Sequence, residues 1–341
     1  MLVLVTGATG RIGRRVVAAL LREEQLVRAF ALPGDPYAPT LAAQGVELVY
    51  GRLEDTAALA EAVRGVDAVC HLAGALTSRG NSDEEFFTLN LRGTFDLLQA
   101  VRAHAPHLRR FLYASSDAVY FSGLAAGPLA LPIDESHPRL AGTIYGASKI
   151  GAEELCLTFS RGFGLSVTIV RFGATADAEE LIDHGSVFAR WLFLRTAITT
   201  MAAGGGQDAA QAEALLRLRQ LDTGEEQLLL VTDLQGRPEI RHWADARDIA
   251  EGCLRALTAP AAIGEAFNLG GAAPYATDEL IPYLAGKLAL PYVTASLPTA
   301  RQPWYTSNAK ARAMLGYQPR YTVFDMVDEA IAARAGDPSK R

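Results

Sequence analysis

The chain has 341 residues, 50% of them hydrophobic, enough to bury one large core or two modest ones. A formal net charge of -6 and a pI near 5.6 leave no basic footprint for nucleic acid or an anionic membrane surface, so neither is expected as a partner. The opening apolar run is too short and lacks the charged leader of a signal peptide, and no later run reaches the length of a membrane span; together they read as a soluble cytoplasmic protein.

Three cysteines, Cys70, Cys156 and Cys253, lie far apart within apolar patterns, as reduced core thiols would, and no zinc or other metal site is visible. The first stretch carrying chemistry is Leu2-Val3-Leu4-Val5, followed by Thr6-Gly7-Ala8-Thr9-Gly10-Arg11-Ile12-Gly13 and an apolar pattern of helical period. Strand, glycine turn and helix in immediate succession predict a phosphate-binding entry for a dinucleotide. Gly7 and Gly10 let the backbone approach a pyrophosphate, Gly13 lets the helix pack on the strand, and the helix offers its N–H groups and positive dipole end to the anion.

Residues 25–32 read as a second strand ending Phe30-Ala31-Leu32-Pro33, where an acid normally selects NAD and an arginine NADP. Asp35 has either the role of reaching back to a ribose or that of a turn residue, and Arg11 is placed to meet a phosphate; NAD is favoured and NADP possible. Residues 46–50, 56–63 and 68–74 continue as strand, helix and strand, so a doubly wound parallel sheet of Rossmann type is expected, with ligands at the C-terminal strand edge. His71 within an apolar strand reads as a structural histidine. Residues 84–103 predict one long amphipathic helix carrying Asn90, with apolar surface to spare for a partner subunit.

Phe111-Leu112-Tyr113-Ala114-Ser115-Ser116-Asp117 then delivers two hydroxyls and a carboxylate to the same edge, and Tyr145-Gly146-Ala147-Ser148-Lys149 opens a helix running to about 161. Tyrosine and lysine at i and i+4 share a helix face, where the ammonium lowers the phenol's pKa. Further on, Gly204-Gly205-Gly206 and the helical pattern 207–221 suggest either a hinge with a lid near 202–222 or a plain linker.

These motifs, with Arg171-Phe172-Gly173, Phe267-Asn268-Leu269-Gly270 and Lys310-Ala311-Arg312-Ala313-Met314-Leu315-Gly316-Tyr317-Gln318-Pro319, resemble the extended short-chain dehydrogenase/reductase family, specifically its NAD-dependent epimerase/dehydratase group. The resemblance covers nearly the whole chain. It implies a cofactor domain over 1–173, to which a strand and helix around 240–270 return, and a smaller α/β substrate domain over 174–341. It implies Tyr145 as acid/base, Lys149 as the ribose-holding and pKa-tuning residue, Ser116 as the hydroxyl on the substrate, and Asn90 as a support. Gly7, Thr9, Gly10, Arg11, Ile12, Gly13, Leu53, Leu72, Ala73, Gly74, Asn90, Tyr145, Lys149 and Phe172 fall along the cofactor. Ser116, Asp117, Arg241 and Arg301 fall along the substrate, the arginines as a clamp on a diphosphate. A homodimer through the helices 84–103 and 145–161 is also implied.

The chain departs from the group at three places. Gly51-Arg52-Leu53 stands where the family often has Gly-Asp-Leu, so its adenine contact differs. Asp117-Ala118 replaces the acid pair with which 4,6-dehydratases expel water, which argues against that reaction. Ala174-Thr175-Ala176-Asp177 replaces Tyr-Gly-Pro and an asparagine, which weakens the case for a nucleotide diphosphate sugar. The activity expected first is a sugar or nucleotide-sugar epimerase, working by hydride transfer through a keto intermediate. A dehydrogenase or reductase of a small hydroxy or carbonyl compound comes second, and a non-catalytic dinucleotide sensor third.

Overall fold

The structure, a computed structural model, describes residues 1–76, 80–121, 127–204 and 208–336. The chain divides into two compact units. The first comprises Met1–Gly173, Ala246–Gly270 and Thr306–Gln318, and the second Ala174–Asp245, Gly271–Tyr305 and Pro319–Arg341.

The first unit is built on a seven-stranded parallel sheet. Its strands are β1 (Leu2–Thr6), β2 (Leu26–Ala31), β3 (Glu47–Tyr50), β4 (Ala68–His71), β5 (Arg110–Ser116), β6 (Val167–Phe172) and β7 (Ala266–Leu269), in the spatial order β7-β6-β5-β4-β1-β2-β3. The order reverses direction at β1, and the two branches leave a crevice at the C-terminal ends of β1 and β4, where ligands of such sheets bind. The strands are nearly continuous apolar runs because helices cover both faces. Leu4, Val69, Phe111, Val167 and Ile169 meet Leu59, Leu97, Leu98 and Ala152 of the helices in one buried cluster.

Local signals place the helices. Asp55 caps Thr56–Val63 by accepting from the Ala57 and Ala58 N–H groups. Thr143 caps Ile144–Phe163 by accepting from the Gly146 N–H, and Gly164 ends that helix in the left-handed conformation at φ 69°. The helix expected over 84–103 is interrupted: a short helix Asp83–Glu85 leads into a π-helical stretch Phe86–Arg92, then an α-helix Gly93–His104. The π-helical stretch contains Asn90, whose side chain bonds two other segments, as such widened turns often do at functional sites.

The second unit has its own core of Leu181, Phe188, Leu192, Phe193, Trp243, Leu280, Leu284, Met326 and Val327. Its strands are short pairs: Leu228–Thr232 runs parallel to Tyr292–Ser296, and Ile240–Arg241 antiparallel to Tyr275–Ala276. The helix Ala209–Leu221, on which a lid was conceivable, sets Ala214 and Leu218 into a cluster with Leu194, Ala197, Leu229, Val231, Ala295 and Leu297. Gly205 and Gly206 of the glycine run lie outside the described residues. No helix among the described residues is long and apolar enough to cross a membrane.

Candidate active site

The glycine turn leaves β1 with Gly7 at φ 69°, a conformation costly for any residue with a Cβ, and a Cβ there would meet the Ala73 nitrogen at 2.8 Å. Gly10 is the N-cap of the helix Arg11–Arg22 and makes no side-chain cap bond to it. Gly13 sits so close to the turn that a Cβ would fall 2.0 Å from the Gly7 carbonyl oxygen. Such a cradle fits a pyrophosphate: close backbone approach and the positive end of a helix dipole coincide.

Around it the cofactor candidates take these positions. Thr9 donates to the Asp35 carboxylate at 2.7 Å, and the other Asp35 oxygen accepts from the Tyr37 N–H at 2.9 Å. Asp35 is therefore both a turn residue and a carboxylate held against the glycine loop. Leu53 is buried against Gly93, and Phe172 is buried at the end of β6 opposite Ser116. Leu72, Ala73 and Gly74 form the exit from β4. The Ala73 N–H donates to the Thr6 hydroxyl at 3.2 Å, and a Cβ on Gly74 would lie 2.6 Å from Asn90 Oδ1 and 3.6 Å from Lys149 Nζ. This exit loop thus touches the glycine turn on one side and the lysine on the other.

Asn90 fastens that loop. Its Oδ1 accepts from the Ala75 N–H at 2.7 Å, and its Nδ2 donates to the Ala75 carbonyl at 3.2 Å and to the Ser148 hydroxyl at 3.0 Å. The Thr94 hydroxyl, which bonds the Asn90 carbonyl at 2.6 Å, also meets His71 Nε2 at 3.0 Å, while His71 Nδ1 meets the Thr6 hydroxyl at 2.7 Å. Burial, with the nearby Lys149 charge, pushes the His71 pKa down to about 3. A neutral imidazole pinned between two threonines acts as a structural bridge.

The catalytic candidates meet at the end of β5. Gly146 allows the helix Ile144–Phe163 to press on the turn Asp117–Tyr120, since a Cβ there would lie 2.6 Å from the Ala118 carbonyl oxygen. That approach brings Tyr145 to the neighbourhood of Ser116, whose hydroxyl donates to Asp117 at 3.3 Å and accepts from the Ala118 N–H at 3.2 Å. The Tyr145 ring keeps some exposure, but its hydroxyl is shielded: burial raises its pKa to about 12, the Ser116 hydroxyl pulls it down, and the Asp117 charge pushes it up. The lysine effect expected on this phenol is not seen. Lys149 Nζ instead donates to the Ala114 carbonyl at 2.9 Å and lies 5.1 Å from the Tyr113 ring centre. Burial lowers the Lys149 pKa to about 8, while Glu153 one turn on raises it.

Glu153, which the sequence pattern did not single out, is fully buried and anchors a network. It accepts from the Ser115 hydroxyl at 2.6 Å, from Arg171 at 2.9 and 2.7 Å, and from Arg139 at 3.0 Å. Arg171 also donates to the Tyr120 hydroxyl at 2.7 Å, which donates to Asn268 at 2.8 Å. Spacing offered one signal: Tyr145, Lys149 and Glu153 recur every four residues on one helix face.

In the second unit, Arg241 is buried against Trp191 and Trp243, with its guanidinium 5.0 and 5.6 Å from their ring centres. Its Nε and Nη2 both bond one oxygen of Glu239, and the other Glu239 oxygen accepts from the Arg301 N–H at 2.8 Å. The Arg301 guanidinium stacks on Trp191 at 4.0 Å, and Arg190 lies 4.7 Å from the same ring. The two sequence-derived arginines do share a cluster, with Glu239, Arg190 and Trp191 as members that no motif indicated. No group of three or more metal-ligating side chains occurs among the described residues.

Residues 3–179 match the profile of the NAD dependent epimerase/dehydratase family. The chain belongs to this family. A solved short-chain dehydrogenase/reductase superfamily protein from Agrobacterium tumefaciens, with bound NAD, is 36% identical over 98% of each chain with a TM-score of 0.87. Among curated relatives, an uncharacterized UDP-glucose epimerase, YtcB, of Bacillus subtilis is 24% identical over 97% of each chain. A 4-hydroxy-2-methyl-3-oxo-4-farnesyl-3,4-dihydroquinoline-1-oxide ketoreductase of Stigmatella aurantiaca is 36% identical over 193 residues, a match spanning 54% of this chain and 54% of that enzyme. The family is one of NAD-dependent enzymes with the doubly wound sheet described above.

Proposed function

We propose that the chain is an NAD-dependent epimerase or oxidoreductase that oxidises a secondary alcohol of a sugar-like substrate. NAD, when bound, supplies the hydride acceptor. The glycine cradle holds its pyrophosphate, and the Asp35 carboxylate beside Thr9 meets an adenosine ribose hydroxyl and repels the 2′-phosphate of NADP. The observation that carries the reading is the Tyr145–Ser116 pair at the end of β5, one helical turn from Lys149. In the reducing direction the Tyr145 phenol, its pKa raised to about 12, gives its proton to the substrate oxygen; in the oxidising direction the alcohol proton passes to the Tyr145 phenolate, so oxidation requires the phenol to lose its own proton to solvent first. Ser116 orients the substrate oxygen, and the Lys149 ammonium, held by the Ala114 carbonyl, presents a charge to a ribose hydroxyl.

Return of hydride to the other face of the ketone gives an epimer, while release of the ketone gives a dehydrogenase. The epimerase is the first reading, supported by the full-length likeness to a UDP-glucose epimerase. The ketoreductase relative favours the second. The Tyr145→Phe variant is expected to bind NAD within a few-fold of the unmodified protein while turnover on a responsive sugar alcohol falls by about 10²-fold or more; full turnover would end the assignment. A homodimer through the helices of the first unit is part of the same proposal, supported by Phe87, Ile144 and Phe163, which are 58%, 50% and 54% exposed. Phe87→Glu should shift the protein to monomer mass in light scattering, and an unchanged dimer places the interface elsewhere.

A further inference from the structure

The cluster around Trp191 and Trp243 carries an arrangement at odds with a simple diphosphate clamp. A clamp uses the two-pronged fork of an arginine against phosphate oxygens. Here one edge of the Arg241 guanidinium, Nε and Nη2, is taken by Glu239, a carboxylate only 4% exposed, which leaves Nη1. Its two oxygens are occupied, one by Arg241 and one by the Arg301 N–H, and its own carbonyl accepts from the Thr277 N–H at 3.0 Å. Glu239 is therefore fixed from both ends and is not displaced by rotating a side chain.

What remains for a ligand is specific. Arg241 Nη1, Arg190 Nε, the Tyr275 hydroxyl and the Thr277 hydroxyl are buried and have no hydrogen-bond partner among the described residues. Arg241 is 7% exposed, and Tyr275 stands opposite it in the strand register. Glu239 and Arg241 cancel each other's charge, Arg190 and Arg301 on the Trp191 ring carry the remaining positive charge of the cluster, and the unused buried groups are donors spread around two indoles. A multiply charged phosphate placed there would face the Glu239 carboxylate at close range in a poorly solvated setting. A singly charged, acceptor-rich group has donors to meet and one fewer charge to repel.

We propose that Glu239 is a specificity-determining residue that occupies one edge of the Arg241 guanidinium, so that the cluster accepts a singly charged, acceptor-rich substrate such as a sugar carboxylate and discriminates against a nucleoside diphosphate. The proposal rests on the reading of Arg241 and Arg301 as substrate arginines, and its test reads binding alone, whereas the hydride reading stands or falls on turnover in Tyr145→Phe.

The test is calorimetric titration of the NAD-loaded protein with UDP and with D-glucuronate. The unmodified protein is expected to bind D-glucuronate more tightly than UDP, and any other order overturns the proposal. Glu239→Gln keeps the shape and the acceptor while removing the charge, and is expected to tighten UDP binding at least tenfold. A gain under threefold, or a loss, overturns it. If that variant does not fold, the order of the two ligands on the unmodified protein decides alone.

Discussion

Gly13→Ala tests the packing on which the cofactor cradle depends. The new Cβ would sit 2.0 Å from the Gly7 carbonyl oxygen and 2.8 Å from the Ala8 α-carbon. Both are backbone atoms of a tight turn, so no side chain can rotate away, and helix and turn must part by about 1 Å or more to restore normal contact. Overpacking of this kind costs about 1–3 kcal/mol, and the severity of the overlap points to the upper end. Alanine's better helix propensity returns about 1 kcal/mol, leaving a net loss of about 2 kcal/mol. For units of this size that lowers the melting temperature by about 4–8 °C. NAD affinity should fall as well, since the N-terminus of the helix moves away from the turn. Gly162→Ala is the control: it lies exposed in the helix Ile144–Phe163 with nothing within 4 Å of the place its Cβ would take, and should gain about 0.5–1 kcal/mol. Thermal melts and NAD titrations of both variants decide the matter. A Gly13→Ala protein that melts at or above the parent and binds NAD equally well would refute the close-packing argument.

Two further perturbations follow from buried polar groups. His71 stays neutral down to about pH 3 in the folded chain, whereas an unfolded histidine takes up its proton near 6.5, so the unfolded state binds more protons between those values. Stability is therefore lost as pH falls through that window, by about 2 kcal/mol from this group between about pH 7.5 and 5. Urea unfolding at the two values should show that loss in the parent and a smaller one in His71→Gln; equal losses would contradict the bridge. Glu153→Ala strands Arg171, Arg139 and Ser115 and should cost about 3–5 kcal/mol, with part of it recovered when Arg171→Met is added. A cost below about 1 kcal/mol would mean the network relaxes without its carboxylate.

The parts legible in the sequence were those whose chemistry is local. A glycine turn between strand and helix, and a tyrosine four residues before a lysine, declare themselves by spacing because the backbone alone sets their geometry. The parallel sheet followed from the alternation of strand and helix. The break in the helix over 84–103 did not; it contains Asn90, which reaches Ala75 and Ser148, contacts that no periodicity encodes. The pKa of Tyr145 went the other way from expectation for a similar reason: at i+4 Lys149 shares its face, but its ammonium goes to the Ala114 carbonyl, and burial outweighs it. Glu153 and Glu239 were invisible as functional residues because a carboxylate takes its meaning from the arginines it meets, and Arg171, Arg139 and Arg301 lie far from them in the chain or approach through backbone.

The central claim is that the first unit binds NAD through the glycine cradle and prefers it to NADP through Asp35. It is tested most directly by dialysing the protein against an equimolar mixture of NAD and NADP, then denaturing it and identifying the retained nucleotide by mass. Retention of NAD, with one molecule per chain and little NADP, is the predicted result. Retention of NADP, or of neither, would contradict the account.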